Sequence, residues 1–205
     1  MIESYVEKDI MRQIKVMEYL FELKRIEIKE IADFLKVSKA TINRDIERIL
    51  IIESAIKIIK KSSSIIEVQF LPNTARYELI KKIYAQSNFL RMCIHYLLEE
   101  TNYLKIVERK HISVSTVFNL RNKVEEFFML VGIMDKHKNF LDDELKMRLV
   151  FLTIWMRIDI PSEKINNQII YDVKNIVKQF VNEFSNKMSL REKSFFEKAI
   201  YLAIK

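Results

Sequence analysis

"IKEIADFLKVSKATINRDIERI", residues 28–49, reads as two short helices joined by a tight turn. Ile28 to Leu35 has apolar residues at helical spacing, and Ser38 opens a second helix that runs to about Leu50. Ser38 is placed to cap that helix, accepting a backbone N–H that would otherwise lack a partner. Two helices crossing at a steep angle must bury a small shared core. Ile31, Ala32, Leu35, Val37, Ile42, Ile46 and Ile49 can form it. Ala32 falls where the helices come closest and a large side chain would push them apart, and Val37 plugs the turn. Ser38, Lys39, Ala40, Asn43, Arg44 and Glu47 are left facing outward.

The flanking sequence completes a unit. Residues 6–23 place Ile10, Ile14, Met17, Leu20 and Phe21 on one face of a further helix. Beyond Leu50 the period changes. Ile56 and Ile58, then Ile66, Val68 and Phe70, alternate with polar neighbours, and "KSSS" between them reads as a turn. Three helices followed by a hairpin predict a winged helix-turn-helix, a fold that lays its outward helix in the major groove of DNA. Asn43 has the shape to pair with adenine and Arg44 with guanine. Lys57, Lys60 and Lys61 fall on the wing, where phosphates run. Pro72 in "LPNT" marks the expected end of this domain.

The pattern returns. "YLKIVERKHISVSTVFNLRNKV", residues 103–124, overlays the first stretch with a shift of 75 that carries Ser38 onto Ser113 and Thr41 onto Thr116. Ile106, Val107, Ile112 and Val117 take the places of Ile31, Ala32, Val37 and Ile42. Ser113, Val114, Ser115, Phe118, Asn119 and Asn122 would face outward. Val107 is larger than the alanine it replaces, so this pair of helices would sit further apart. The long helix from Ser113 to about Leu130 should end at Gly132, where a left-handed cap is cheap. "IMDKHKNFL" would be a second, smaller wing. Further helices are expected at Asp143–Ile158, Glu163–Phe184 and Ser189–Ile204.

Composition agrees. The chain has 205 residues, with one glycine and two prolines, which suits a helical protein and leaves no glycine-rich phosphate loop. The formal net charge of +7 fits a polyanionic partner. Cys93 is the only cysteine, so no internal disulfide can form, and a reducing cytoplasm is the expected compartment. The start, "MIESYVEKDI", is charged from its third residue and does not read as a signal peptide. "LVFLTIWM", the longest uncharged apolar run, is too short to span a bilayer.

No catalytic or metal constellation stands out. His95, His111 and His137 share no metal-ligand spacing with one another or with Cys93. Cys93, Trp155, Phe127 and Phe128 read as core. Asp142, Asp143 and Glu144 suit a helix N-terminus, which favours acidic residues electrostatically.

Taken in order, several stretches resemble the Mga-like family of bacterial transcription regulators, which includes AtxA-type virulence regulators. "IADFLKVSKATINRDIERI" (31–49) looks like the family's first helix-turn-helix. "LIKKIYAQSNFLRMCIHYLLEE" (79–100) looks like its linker, and "ISVSTVFNLRNKVEEFF" (112–128) like its second recognition helix. "FLDDELKMRLVFLTIW" (140–155) matches the segment after the second wing at Asp143, Glu144 and Arg148, with Asp142 where glycine is usual. The resemblance covers residues 1 to about 158. It implies a bacterial activator with two N-terminal DNA-binding domains, followed in the family by phosphotransferase-type regulation domains. "SLREKSFFEKAIYLAIK" (189–205) looks like a helix before or within the first of these. The chain would then be a piece of a longer regulator, or a short relative without that control.

The expected fold is therefore mainly α. Tandem winged helix-turn-helix domains at 1–73 and 74–158, with small β-wings, lead into a helical segment at 159–205 that begins a regulatory or dimerisation domain. The expected function is a non-enzymatic, sequence-specific transcription regulator without cofactor. Double-stranded DNA is its partner, touched by Ser38, Lys39, Thr41, Asn43, Arg44, Lys57, Lys60 and Lys61, and by Ser113, Ser115, Thr116, Asn119 and Asn122. RNA polymerase is the protein partner an activator implies, and residues 163–205 are apolar enough to pair two chains. A plasmid replication initiator built from tandem winged helices and a helical protein-interaction module are the competing readings.

Overall fold

The computed structural model describes residues 2–98, 113–184 and 188–204. Among them the chain is mainly helical, with one small antiparallel sheet. It divides into two compact units, Val6–Ser87, and Met1–Tyr5 with Asn88–Lys205.

The first unit runs α1 (Lys8–Leu23), β1 (Arg25–Glu27), α2 (Ile28–Phe34), α3 (Lys39–Ile52), β2 (Ile56–Lys61), β3 (Ile65–Phe70) and α4 (Arg76–Tyr84). α1 buries Ile10, Ile14, Met17 and Leu20, as the helical spacing predicts. It closes at Lys24, whose φ of 60° turns the chain into β1. β1 has no counterpart in the sequence reading, because three residues are too few to display alternation. Its Ile26 is buried and lies opposite Ile66, in a sheet of order β1-β3-β2. The β2–β3 hairpin turns at Ser62, whose hydroxyl accepts the N–H of Ile65 at 3.0 Å. Ile66 and Val68 of β3 point into the core. A bulge between Ile58 and Lys60 leaves Ile59 out of register.

α4 departs from expectation. Placed by sequence in the second domain, it packs instead on α1 in the first unit. Leu79 and Ile83, one helical turn apart, form a stripe that needs cover. Arg76 bonds Glu22 at 2.7 Å, and Lys82 reaches the buried carboxylate of Glu53 at 2.8 Å. Pro72 thus marks a turn inside the unit rather than its end. Asn73 takes the left-handed conformation there, and the Thr74 hydroxyl donates back to the carbonyl of Leu71 at 2.6 Å.

The second unit contains α5 (Asn88–Leu97), α6 (Val114–Leu130), α7 (Glu144–Trp155), α8 (Asn167–Phe184) and α9 (Leu190–Ile204). Phe89, Leu90, Cys93, Phe127, Phe128 and Trp155 are buried, as their spacing implies. Tyr5 adds its ring, 5.6 Å from Phe89 and 5.2 Å from Phe127. α8 begins four residues later than predicted. Residues Ser162–Lys164 form a 3-10 turn, and the Asn166 carboxamide oxygen accepts the N–H groups of Gln168 and Ile169, which starts the helix there. α9 packs on α7 and α8. Tyr201 lies edge-on to Trp155 at 5.3 Å, and the buried Lys198 ammonium donates to the Trp155 carbonyl at 2.9 Å.

α6 ends as predicted at Gly132, with φ of 72°. The N–H of Ile133 bonds the carbonyl of Phe128 and that of Gly132 bonds Met129, the paired bonds of a left-handed helix cap. A methyl group at Gly132 would meet only the side chain of Lys146, at 3.5 Å, so backbone strain rather than crowding selects glycine. Gly132→Ala should therefore lower unfolding stability by about 1 kcal/mol. Urea denaturation should show the midpoint fall with an unchanged slope.

Candidate nucleic-acid interface

α2, the turn and α3 pack as the sequence implies. Ile31, Ala32, Ile42, Ile46 and Ile49 are buried between them, while Leu35 and Val37 are only half-buried. The turn is held by the backbone. Lys36 adopts φ of 54°, and the Val37 N–H bonds the carbonyl of Ala32 at 2.9 Å. Ser38 caps α3, its hydroxyl accepting the Thr41 N–H at 3.1 Å.

This packing aims one side of α3 at solvent. Ser38, Lys39, Ala40, Arg44 and Glu47 are exposed; Thr41 and Asn43 are half-buried. The Thr41 hydroxyl lies 2.9 Å from that of Ser38, so Thr41 serves the cap. On the hairpin Lys57 and Lys60 project freely, whereas Lys61 reaches back to Glu47 at 3.3 Å. Lys39, Arg44, Lys57 and Lys60 form no ion pair among the described residues. Unneutralised cations on a capped helix and on the hairpin tied to it are suited to a polyanion.

One determinant escaped the sequence reading. Asp45 is 1% exposed on the inner side of α3. Arg12 of α1 grips it in a two-pronged pair, with Nε at 2.5 Å and Nη2 at 3.2 Å, and Gln13 adds a longer contact at 3.4 Å. Asp45 raises the Arg12 pKa by that hydrogen bond, against the lowering effect of burial. The signal was present in the spacing. Asp45 lies three residues after Ile42 and four before Ile49, so it must share their buried face.

A family model described as an HTH domain matches residues 12–64. No curated protein matches the chain. The HTH domain match runs from α1 to the hairpin turn, so the exposed face of α3 belongs to a DNA-binding helix-turn-helix. Among the described residues no cluster of His, Cys, Asp and Glu could hold a metal, and no helix is long and apolar enough to cross a membrane.

The second unit shares one local feature with α3, a serine cap. Ser113 caps α6 as Ser38 caps α3, accepting the Thr116 N–H at 3.2 Å with backbone angles of −69° and 153°, against −74° and 153° at Ser38. Ser113, Val114, Ser115, Thr116, Phe118, Asn119 and Asn122 are all exposed, and Val117 is buried. The partner helix expected at Tyr103–Lys110, with Ile106, Val107, His111 and Ile112, lies outside the described residues. Where a second, smaller wing is expected, the chain makes a short turn closed by a single bridge. Met134 bridges Phe140, and the Asp135 carboxylate accepts the N–H groups of His137 and Asn139 at 2.8 and 2.9 Å. Its Lys138 returns to α6 and meets the buried Glu125 at 2.7 Å.

Glu125 also accepts from Arg121 Nε at 2.7 Å and from the Tyr96 hydroxyl. Burial would raise its pKa, but the bonds from Lys138, Tyr96 and Arg121 outweigh burial and hold it below the usual carboxylate range. A carboxylate depressed on folding contributes stability above its unfolded pKa, and that contribution is lost as pH falls through the folded value. Thermal melts taken from neutrality to about pH 3 should therefore show the second unit weakening. Glu125→Gln should flatten that dependence.

Proposed function

We propose that this chain is a sequence-specific transcription regulator of the Mga-like type. It acts as a cytoplasmic activator that reads duplex DNA with two winged helix-turn-helix units. The observation that carries the reading is the pair of serine-capped helices, α3 and α6, with matching cap geometry and outward polar faces. The division of labour expected at 1–73 and 74–158 is proposed with its boundary moved to Ser87, because α4 supports the first unit. Arg44 and Asn43 read base edges. Ser38, Lys39, Lys57 and Lys60 hold phosphates, and Lys61 does so by exchanging its bond to Glu47. Ser113, Ser115, Thr116, Asn119 and Asn122 form the second reading face, and Phe118, 60% exposed, is placed to touch a thymine methyl.

Activation requires contact with RNA polymerase. Residues 163–205 are proposed as a pairing surface for a second chain, which would match two-fold DNA sites. Support lies in side chains that α9 and α8 leave in solvent although the two helices pack together, among them Ile176, Phe180, Phe195 and Phe196.

Selection of bound fragments from genomic DNA, followed by titration of variants, tests the reading. Arg44→Ala should weaken the selected site by about 1–3 kcal/mol and leave random DNA little affected. Lys57→Ala and Lys60→Ala should weaken every sequence and reduce the salt slope by about one each. Equal losses on selected and random DNA for Arg44→Ala would exclude base reading by that residue.

The second face has its own test. Asn119→Ala combined with Asn122→Ala should shorten the protected stretch on the selected site while protection by the first unit persists. An unchanged footprint would remove α6 from the interface.

A further inference from the structure

β2 is one of the two edge strands of the sheet, and it presents an unusual mixture. Between Lys57 and Lys60, both exposed, stand Ile58 and Ile59, with 44% and 57% of their surface in solvent. The register explains Ile59. Ile58 faces Val68 and Lys60 faces Glu67, so Ile59 is the extra residue of the bulge. A bulge bends the strand and re-aims the side chain it inserts. Here it places an apolar, β-branched side chain between lysines that carry no ion pair among the described residues, on the same hairpin whose Lys61 is tied to Glu47 of α3.

We infer that Ile59 is an apolar contact to the DNA minor groove, seated against sugars or a base step while Lys57 and Lys60 hold the phosphates on either side. The inference rests on the DNA-reading proposal above and adds to it a residue that recognises groove shape. Charge complementarity selects the occupant. An apolar protein partner would leave the flanking ammonium groups without counterions, whereas a nucleic-acid groove supplies phosphates and an apolar sugar wall together. Isoleucine is among the side chains that serve as minor-groove wedges. The contact would remain after salt has weakened the lysine contacts, because burying apolar surface releases no counterions.

The test uses the full chain and its selected duplex at three salt concentrations. Ile59→Thr keeps the β-branched shape and Ile59→Val keeps the apolar surface, so circular dichroism and melting temperature should stay near wild type for both. Ile59→Thr should weaken binding about fivefold at every salt concentration, with an unchanged salt slope. Ile59→Val should stay within about twofold, by the same area argument. Hydroxyl-radical protection of the minor groove beside the site should fade in Ile59→Thr, while major-groove methylation protection persists. Wild-type affinity for Ile59→Thr would overturn this inference alone and leave the bulge as protection of a sheet edge. Unaffected DNA binding with lowered self-association in sedimentation would likewise overturn it, in favour of pairing between wings. Failure of the wild-type chain to prefer any duplex over competitor would overturn the inference and the DNA-reading proposal together.

Discussion

α3 has to be buried and free at once. Its inner side holds Ile42, Ile46 and Ile49, all at most 1% exposed, and its outer side stays in solvent. Hydrophobic burial alone would let such a helix rotate or slide to cover more apolar surface, because burial is non-directional. Asp45 removes that freedom. A buried carboxylate cannot leave its partner without a large desolvation cost, so the Arg12–Asp45 pair fixes α3 relative to α1. The position of Arg44 and the direction of the Ser38 cap follow from that placement.

The hairpin of the first unit and the turn after α6 show two ways of holding a connection beside a helix. In the first unit Lys61 meets Glu47 at the surface, with both side chains well exposed. Exposed pairs contribute little and yield to competing charge, so this hairpin is held only lightly to α3. In the second unit Lys138 meets Glu125, whose side chain is 2% exposed and shared with Arg121 and Tyr96. Losing Lys138 would leave a buried carboxylate with fewer partners, so this turn is held firmly to α6. One connection is built to adapt and the other to stay.

The C-terminal helices illustrate incomplete burial. α8 buries Val173 and Val177, and α9 buries Tyr201 and Lys198 against α7. Ile176 and Phe180 on α8, and Phe195 and Phe196 on α9, still reach solvent. Two helices of this composition have more apolar circumference than one mutual seam can hide. Packing inside the unit accounts for part of that surface.

The helix periods, both serine caps, the left-handed stop at Gly132 and the hairpin at Ser62 were legible in the sequence. Each depends on residues within a few positions of one another, where side-chain type and backbone preference decide together. The exposed face of α3 was legible for the same reason, since the spacing of its isoleucines leaves only one side for Lys39 and Arg44. The three-residue β1 was not, because its pairing with β3 joins segments about forty residues apart and carries no local period. Nor was the position of α4, whose Leu79 and Ile83 needed a cover that only the folded α1 could identify. Which lysines are free and which are engaged was also decided in three dimensions. Lys60 and Lys61 are adjacent and alike in sequence, yet among the described residues only Lys61 forms an ion pair, because the bulge and the hairpin carry its side chain to Glu47. Local chemistry sets the elements; long-range packing selects the charges left for a partner.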